Sequence, residues 1–417
     1  MTEGERNYGI VTASYWGFTL TDGALRMLVL LHFYKLGYSA FTLAFLFLLY
    51  EVAGICTNFV GGWLAVRFGI TRMLAVGLMT EITGFLLLSA LSPAWGATLS
   101  VAWVVAAQGV CGVAKDLTKT ASKSAIKAAE AAARSASGDS RLFRWVAWFT
   151  GSKNAMKGMG FFLGGALLEV LGFRGALWSM AGALAIVLAG VAILLPRMMG
   201  KSKASKSVRE LFGKSRGVNL LAAARIGLFG ARDVWFVVGL PVFLYSLGWN
   251  NPEVGGFLAF WTIGYGIVQA SAPAIVRRSA DGLSTEVRAA RLWSLILALT
   301  PVAIAVALWI VGAHLDLILV VGLCVFGILF AVNSSVHSYL VLAYAGSEKA
   351  AEDVGFYYAA NATGRLMGTL LSGLLYQVGG IYACLAGSAV MLLSSWLITL
   401  WLPMSKGQDV GRAAVPA

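Results

Sequence analysis

Charge is what this sequence has least of. Asp, Glu, Lys and Arg together make up 12% of its 417 residues. A soluble globular chain carries about 25%, so an ordinary soluble domain is excluded. Cysteine is scarce too. Cys56, Cys111, Cys324 and Cys384 each stand alone in a separate apolar stretch, and no CxxC occurs. Neither a disulfide framework nor a thiolate metal site is indicated, and small buried packing residues are the expected role. Histidine occurs three times, at His32, His314 and His337, without the HExxH spacing of a zinc protease. No P-loop is present, which argues against ATP hydrolysis. A non-enzyme without cofactor or metal is the expectation.

Apolar residues are abundant instead. They form 59% of the chain, with mean hydropathy +0.79, the composition of a polytopic protein whose first partner is the lipid bilayer. No cleavable signal opens it. Met1 to Asn7 is polar, and the apolar run from Tyr8 to Leu36 is too long for a signal core, so the first helix is expected to be retained. A bilayer core takes about 20 apolar residues per helix. That ruler predicts twelve segments, at 8–35, 40–66, 72–92, 97–121, 143–170, 174–195, 218–246, 254–276, 291–312, 315–343, 354–378 and 380–402.

A basic stretch interrupts the series. Between Pro196 and Arg216 lie Arg197, Lys201, Lys203, Lys206, Arg209, Lys214 and Arg216 against Glu210 alone. The stretch reads as a cytoplasmic linker, 196–217, between an N-terminal half (1–195) and a C-terminal half (218–403), with a cytoplasmic tail at 404–417. The net charge of +13 does not signal nucleic acid, because the cations collect in loops of one side. These are Arg67 and Arg72, then Lys123, Lys127, Arg134, Arg141 and Arg144, then Arg277, Arg278, Arg288 and Arg291. Opposite loops offer Lys35 and Arg174. The positive-inside rule then makes both termini cytoplasmic. The segment Gly346–Asp353 is net acidic, and acidic residues weigh little in that rule.

The halves repeat. A shift of 211 residues lays Phe18 on Phe229, Asp22 on Asp233, Tyr34 on Tyr245 and Leu36-Gly37 on Leu247-Gly248. A shift of 208 lays Lys157 on Arg365, Gly160 on Gly368, Gly165 on Gly373 and Gly172 on Gly380. Six plus six helices about a pseudo-two-fold axis is the plan of a major facilitator transporter. The expected fold is therefore an all-α integral membrane protein of twelve transmembrane helices in two pseudo-symmetric six-helix halves.

Lys157 and Arg365 each fall near the middle of an apolar segment, where a cation costs roughly 2.5–3.5 kcal/mol on insertion scales. Such a cost is carried where the charge meets a wet cavity or an anion, so the matched pair suggests transport of a negatively charged substrate. Asp22 and Arg26 lie four apart on one helix face. Two readings stand for them: a self-neutralising structural pair, or a cavity-lining pair that binds substrate or responds to protons. In the seventh segment Arg225 and Arg232 project to one side with Asp233 as the nearby acid, so one arginine lacks a carboxylate on its own helix and suits anion recognition. Lys115 and Lys119 share a face where the fourth segment ends. They are either snorkelling residues, as Lys123 and Lys127 are taken to be, or the mouth of a cavity.

Lys153 and Lys157 align with Gly160 and Gly164 in a stripe whose glycines read as packing. Asn58, Asn154, Gln269, Asn333 and Asn361 supply further deep polar groups, with Asn154 and Asn361 taken as substrate contacts. Proton coupling falls to Asp22, Glu51, Asp233 or His337, the last being equally readable as a packed core histidine. Segments 6, 9 and 12 hold no obvious interior charge and segment 3 holds Glu81, as expected of the outer scaffold of that fold.

The run Gly62-Trp63-Leu64-Ala65-Val66-Arg67-Phe68-Gly69-Ile70-Thr71-Arg72 resembles the major facilitator loop motif, with Val66 where the family usually has aspartate. Gln108-Gly109 with Gly112 resembles its fourth-helix motif, with Val105 in place of the arginine. Four longer strings carry a closer resemblance: YWGFTLTDGALRMLVLLHFYKLGYS from Tyr15, AKDLTKTASKSAIK from Ala114, FTGSKNAMKGMGFFLGG from Phe149 and FGARDVWFVVGLPVF from Phe229. They are similar to the ArsJ-type organoarsenical efflux permeases. That resemblance implies a permease of the bacterial inner membrane that exports 1-arseno-3-phosphoglycerate. This ester is made from arsenate by a glyceraldehyde-3-phosphate dehydrogenase, its functional partner, and its export confers arsenate resistance. The residues themselves reach only a multiply charged anion. An organophosphate or sugar-phosphate antiporter and a drug:H⁺ antiporter of the same fold remain the alternatives.

Overall fold

A computed structural model of the chain describes residues 3–57, 69–134, 140–196, 215–275, 283–344 and 350–404. Of residues 3–5, 123–124, 126–134, 140–151, 273–275, 342, 350–355 and 358 it gives the backbone only. The basic linker over 197–214, the loop 58–68 with Asn58 and Val66, Arg277, Arg278 and the tail beyond 404 lie outside these residues. So do the side chains of Lys123, Lys127, Arg134, Arg141 and Arg144.

The described chain is all helix and turn, with no strand among the described residues. In order the helices are α1 Glu3–Lys35, α2 Ala40–Thr57, α3 Ile70–Ser89, α4 Ala97–Arg134 and α5 Ser140–Leu194. There follow α6 Arg216–Phe236, α7 Gly239–Ser246, α8 Asn251–Ile275, α9 Ser284–Val311, α10 Leu315–Tyr344 and α11 Ala350–Thr399. Among the described residues nine spans are long and apolar enough to cross a membrane, α6 with α7 counting as one. α1 falls short of that apolarity because Asp22, Arg26 and a run of threonines and serines interrupt it. The twelve expected segments are therefore not all set apart by loops. The fifth and sixth join in α5, and the eleventh and twelfth in α11.

Both joints bend at glycine. Gly172 has φ 67° and ψ −180°, and Gly380 has φ 61° and ψ −151°. The left-handed region is open to glycine at no steric cost, and these two glycines are 208 residues apart, the shift of the sequence repeat. Gly37 (φ 83°) and Gly248 (φ 94°) close the first and seventh segments in the same way, at the shift of 211. Four positive-φ glycines therefore fall in register with the repeat.

Two compact units emerge. Unit 1 is Met1–Tyr38, Phe45–Lys206 and Gly248–Ile263; unit 2 is Ser39–Ala44, Ser207–Leu247 and Gly264–Ala417. In unit 1 the arm of α5 before Gly172 crosses α1 at glycines. A Cβ on Gly160 would strike the carbonyl of Leu20 and the backbone of Gly23, and one on Gly164 would strike Ala24. In unit 2 the corresponding arm of α11 crosses α6: Gly364 lies against Ile226, and Gly368 against Gly230 and Asp233. Small residues at this spacing let helix backbones approach closely. The start of α8 joins unit 1 by the same device, with Gly158 on Ala259 and Gly255 on Phe161. The start of α2 joins unit 2, where Gly373 meets Ala40 and the Phe41 N–H donates to Gln377 Oε1 at 3.3 Å.

Burial separates interior helices from outer ones. The window spanning α6 and α7 is 83% buried, whereas that of α9 is 33% buried. Val170, Ile193, Trp309 and Val378 are each more than three-quarters exposed, at 79, 80, 79 and 77%, the side-chain chemistry of a lipid-facing surface. The break between α6 and α7 follows from Pro241. Its ring displaces the carbonyl four residues back and it has no N–H to give. Ser372 Oγ accepts the N–H groups of Val238 and Gly239 at 3.1 and 3.0 Å, so no water is needed there.

Candidate functional site

In unit 1 helices α1, α2 and α4 converge on a charged cluster. Arg26 donates to Glu51 Oε1 at 2.6 Å, and the guanidinium lies over the rings of Phe47 and Tyr50 at 5.2 and 5.6 Å. Both residues are buried, Glu51 to 1% exposure, so the ion pair is desolvated and each charge depends on the other. Asp22 does not pair with Arg26. Its Oδ1 accepts from the Tyr50 hydroxyl. Lys115 Nζ sits 3.7 Å from the centroid of the same Tyr50 ring, a short cation–π contact. Asp116 Oδ1 holds Lys119 at 3.3 Å, while Asp116 Oδ2 lies with Lys115 Nζ against Gly54.

Glycine makes this convergence possible. A Cβ on Gly112 would run into the Tyr50 backbone, so α4 and α2 are close enough for Lys115 to reach that ring. Lys157 joins from α5: its carbonyl lies 2.7 Å from where a Gly23 Cβ would stand, beside Asp22. Lys153, Asn154 and Lys157 are half-buried along this arm, with Lys157 Nζ 5.8 Å from the Phe161 ring. Trp16 Nε1 donates to Ser152 Oγ at 2.9 Å and ties the two helices together.

Unit 2 repeats the arrangement with arginines. Asp233 Oδ1 accepts Arg232 Nε at 2.7 Å and Nη2 at 2.5 Å, and its Oδ2 accepts Arg365 Nε at 3.4 Å. Arg225 has no carboxylate partner among the described residues. It donates Nη1 to the Ser334 carbonyl at 3.2 Å and packs on Phe229 and Tyr357, 4.0 and 4.8 Å from the ring centroids. Arg232 lies 5.0 Å from the Phe229 ring as well, so one aromatic residue serves both arginines seven apart. Asn361 is one turn before Arg365 on α11, and its Oδ1 is buried without a hydrogen bond among the described residues. His337 is fully buried on α10, with neither ring nitrogen hydrogen-bonded among the described residues.

The structure thus groups Asp22, Arg26, Glu51, Lys115 and Lys119 in one unit, and Arg225, Arg232, Asp233 and Arg365 in the other. Asn333 stands apart in a closed pair with Ser294 at 2.9 Å. Sequence reasoning missed Tyr50, Asp116 and the aromatic seats Phe229 and Tyr357. An available signal was that Tyr50 immediately precedes Glu51 deep in an apolar run. Chemically, arginines and lysines seated on aromatic rings are held in place yet keep donors to offer, which suits a reversible anion ligand.

Solved structures with the same arrangement of helices exist. A POT family transporter crystallised with 5-aminolevulinic acid matches at TM-score 0.73 and 13% identity, over 95% of this chain and 96% of that one. The nucleoside transporter NupG matches at TM-score 0.70 and 15% identity, over 96 and 99%. The chain has a major-facilitator-type fold. A POT family transporter bound to a thioalcohol-conjugated peptide fits equally, at TM-score 0.73 and 13% identity over 95 and 96%. No family model and no curated protein matches the sequence.

Proposed function

We propose that this chain is a membrane transporter that exports a multiply charged organic anion by alternating access, and that the anion is the phosphorylated organoarsenical 1-arseno-3-phosphoglycerate. One observation carries the anion reading. Cations recur at equivalent points of the repeated helix pair, Lys157 where α5 crosses α1 and Arg365 where α11 crosses α6. Arg26 and Lys115 belong to the same unit as the first, and Arg232 shares Asp233 with the second. In unit 2 Arg232 and Arg365 share one carboxylate, Asp233, and Arg225 has none among the described residues, so a positive excess remains for a ligand. The ester carries phosphate and arsenate groups, both of the kind that arginine and lysine recognise. The arsenic itself rests on the resemblance of four sequence strings to the ArsJ-type permeases.

The same reading takes the chain as twelve crossings in two six-helix halves. The spans Ser152–Leu194 and Ala359–Thr399, with 43 and 41 residues, are each about twice what a bilayer core needs. Each turns at its glycine kink, and α1 makes a further crossing. Both termini and the basic linker are placed in the cytoplasm of a bacterium, with the membrane as the inner one, and a glyceraldehyde-3-phosphate dehydrogenase supplies the substrate.

The experiment is arsenate resistance in a sensitive strain. Cells expressing this chain with the dehydrogenase should grow in arsenate, and the chain alone should protect little. Equal protection against arsenite would remove the arsenical reading, since arsenite cannot form the ester. Protection against neither would return the substrate to the wider class of organophosphates.

A further inference from the structure

Glu81 belongs to none of the clusters above, and α3 reads from sequence as scaffold. Its side chain is nevertheless completely buried, and neither carboxylate oxygen has a hydrogen-bond partner among the described residues. Packing fixes what it faces. A Cβ on Gly77 would meet Thr118 and the carbonyl of Ala114, and one on Gly84 would meet the Cys111 thiol and Ala107. Glu81 lies one turn from each glycine on the same face of α3, so it points at α4 between Cys111 and Thr118, level with Lys115. The charges that act on it are Asp22 from α1 and Lys115 from α4, with the Cys111 thiol beside it. The arm of α5 beyond Gly172, which also packs on α3, has no titratable residue between Arg174 and Arg197. The Thr118 hydroxyl across from it is likewise without a hydrogen bond among the described residues.

The other acids of the molecule's charged clusters are differently placed. Glu51 is neutralised by Arg26, and Asp233 by two arginines. Asp22 accepts from Tyr50. A fully buried ionised carboxylate whose neighbouring donor is a weak thiol is disfavoured, whereas a neutral carboxylic acid is tolerated. Lys115, the cation level with Glu81, is turned towards the Tyr50 ring and the Asp116 side of α4. We propose that Glu81 is a proton-binding site, and that its proton is linked to the bound anion through Lys115. While Lys115 serves the anion, Glu81 keeps its proton. When Lys115 turns to Glu81, the carboxyl releases a proton to water, and the ammonium–carboxylate pair that forms takes a cation away from the anion. Anion binding therefore takes up protons.

Two measurements on the purified full-length chain test this. The first, infrared difference spectroscopy across a pH change, needs no ligand. A protonated-carboxyl stretch in an apolar setting should appear in the wild type, vanish in Glu81→Gln and return shifted in Glu81→Asp. A wild type without that band, or a Glu81→Gln variant that retains it, overturns the proposal whatever the substrate. The second adds 3-phosphoglycerate, or inorganic phosphate, to weakly buffered protein. The wild type should take up protons on binding and Glu81→Gln should bind without uptake. Equal uptake by both proteins rejects the linkage. If Glu81→Gln does not fold, the wild-type spectrum and Glu81→Asp still decide the first arm. Failure of both anions to bind, with the infrared band present, would count against the anion reading and leave the proton site standing.

Discussion

Asp233 holds two guanidinium groups at once, Arg232 at 2.5 and 2.7 Å and Arg365 at 3.4 Å, and this redundancy decides what single substitutions do. Loss of Arg365 leaves Asp233 its closer partner, so Arg365→Met should fold normally. Loss of both arginines strands a buried carboxylate and should cost about 3–5 kcal/mol. A double-mutant cycle on thermal stability in detergent would show this as strong non-additivity; additive losses would mean that the two arginines do not share the acid. Arg26 pairs with a carboxylate, Glu51, that is 1% exposed. Arg26→Met should lower folded yield by a comparable amount, and Glu51→Gln added to it should restore much of the loss. The sequence pointed to Asp233 as the acid beside Arg225 and Arg232, and Arg232 takes it; the pairings of Arg365 and of Arg26 were not legible. The spacing of Asp22 and Arg26 points to a pair within one helix, whereas Arg26 finds its partner 25 residues away on α2. Spacing rules know one helix at a time, and a buried charge is settled by whichever neighbouring helix arrives with the opposite sign.

Among the elements, the glycines at the kinks carry the clearest expectation. Nothing lies within 4 Å of a Cβ added at Gly172 or at Gly380, so only the backbone conformation opposes a side chain there. Gly172→Ala and Gly380→Ala should each cost about 1–3 kcal/mol, while Gly182→Ala, with an ordinary helical backbone and equally open space, should cost nothing measurable. Matching melting temperatures for all three would mean that the bends are not fixed by left-handed glycine. At this scale the sequence was informative. The two shifts that superpose the halves predicted Gly172 with Gly380 and Gly37 with Gly248, and all four have positive φ. A repeat shows because backbone requirements are local. The first segment, expected at 8–35, is the helix α1, deeply buried against α5 although Asp22 and Arg26 make it less apolar than the other spans.

For the whole molecule, orientation and transport are the expectations to check. Reporter fusions at Lys206 and at the C-terminus should both report cytoplasm, and one near Pro93 the opposite side; a non-cytoplasmic signal at Lys206 would overturn the positive-inside reading and the halves built on it. The central claim is that Lys157 and Arg365 bind the transported anion. Its direct test is transport per folded molecule in inverted vesicles supplied with glyceraldehyde-3-phosphate, the dehydrogenase, NAD and arsenate. Lys157→Met and Arg365→Met should each insert and fold, since removing a membrane-embedded cation lowers the insertion cost, and each should abolish accumulation of the arsenical. Normal accumulation by both variants would take the midplane cations out of the mechanism, and the negative charge of the substrate would no longer follow from them.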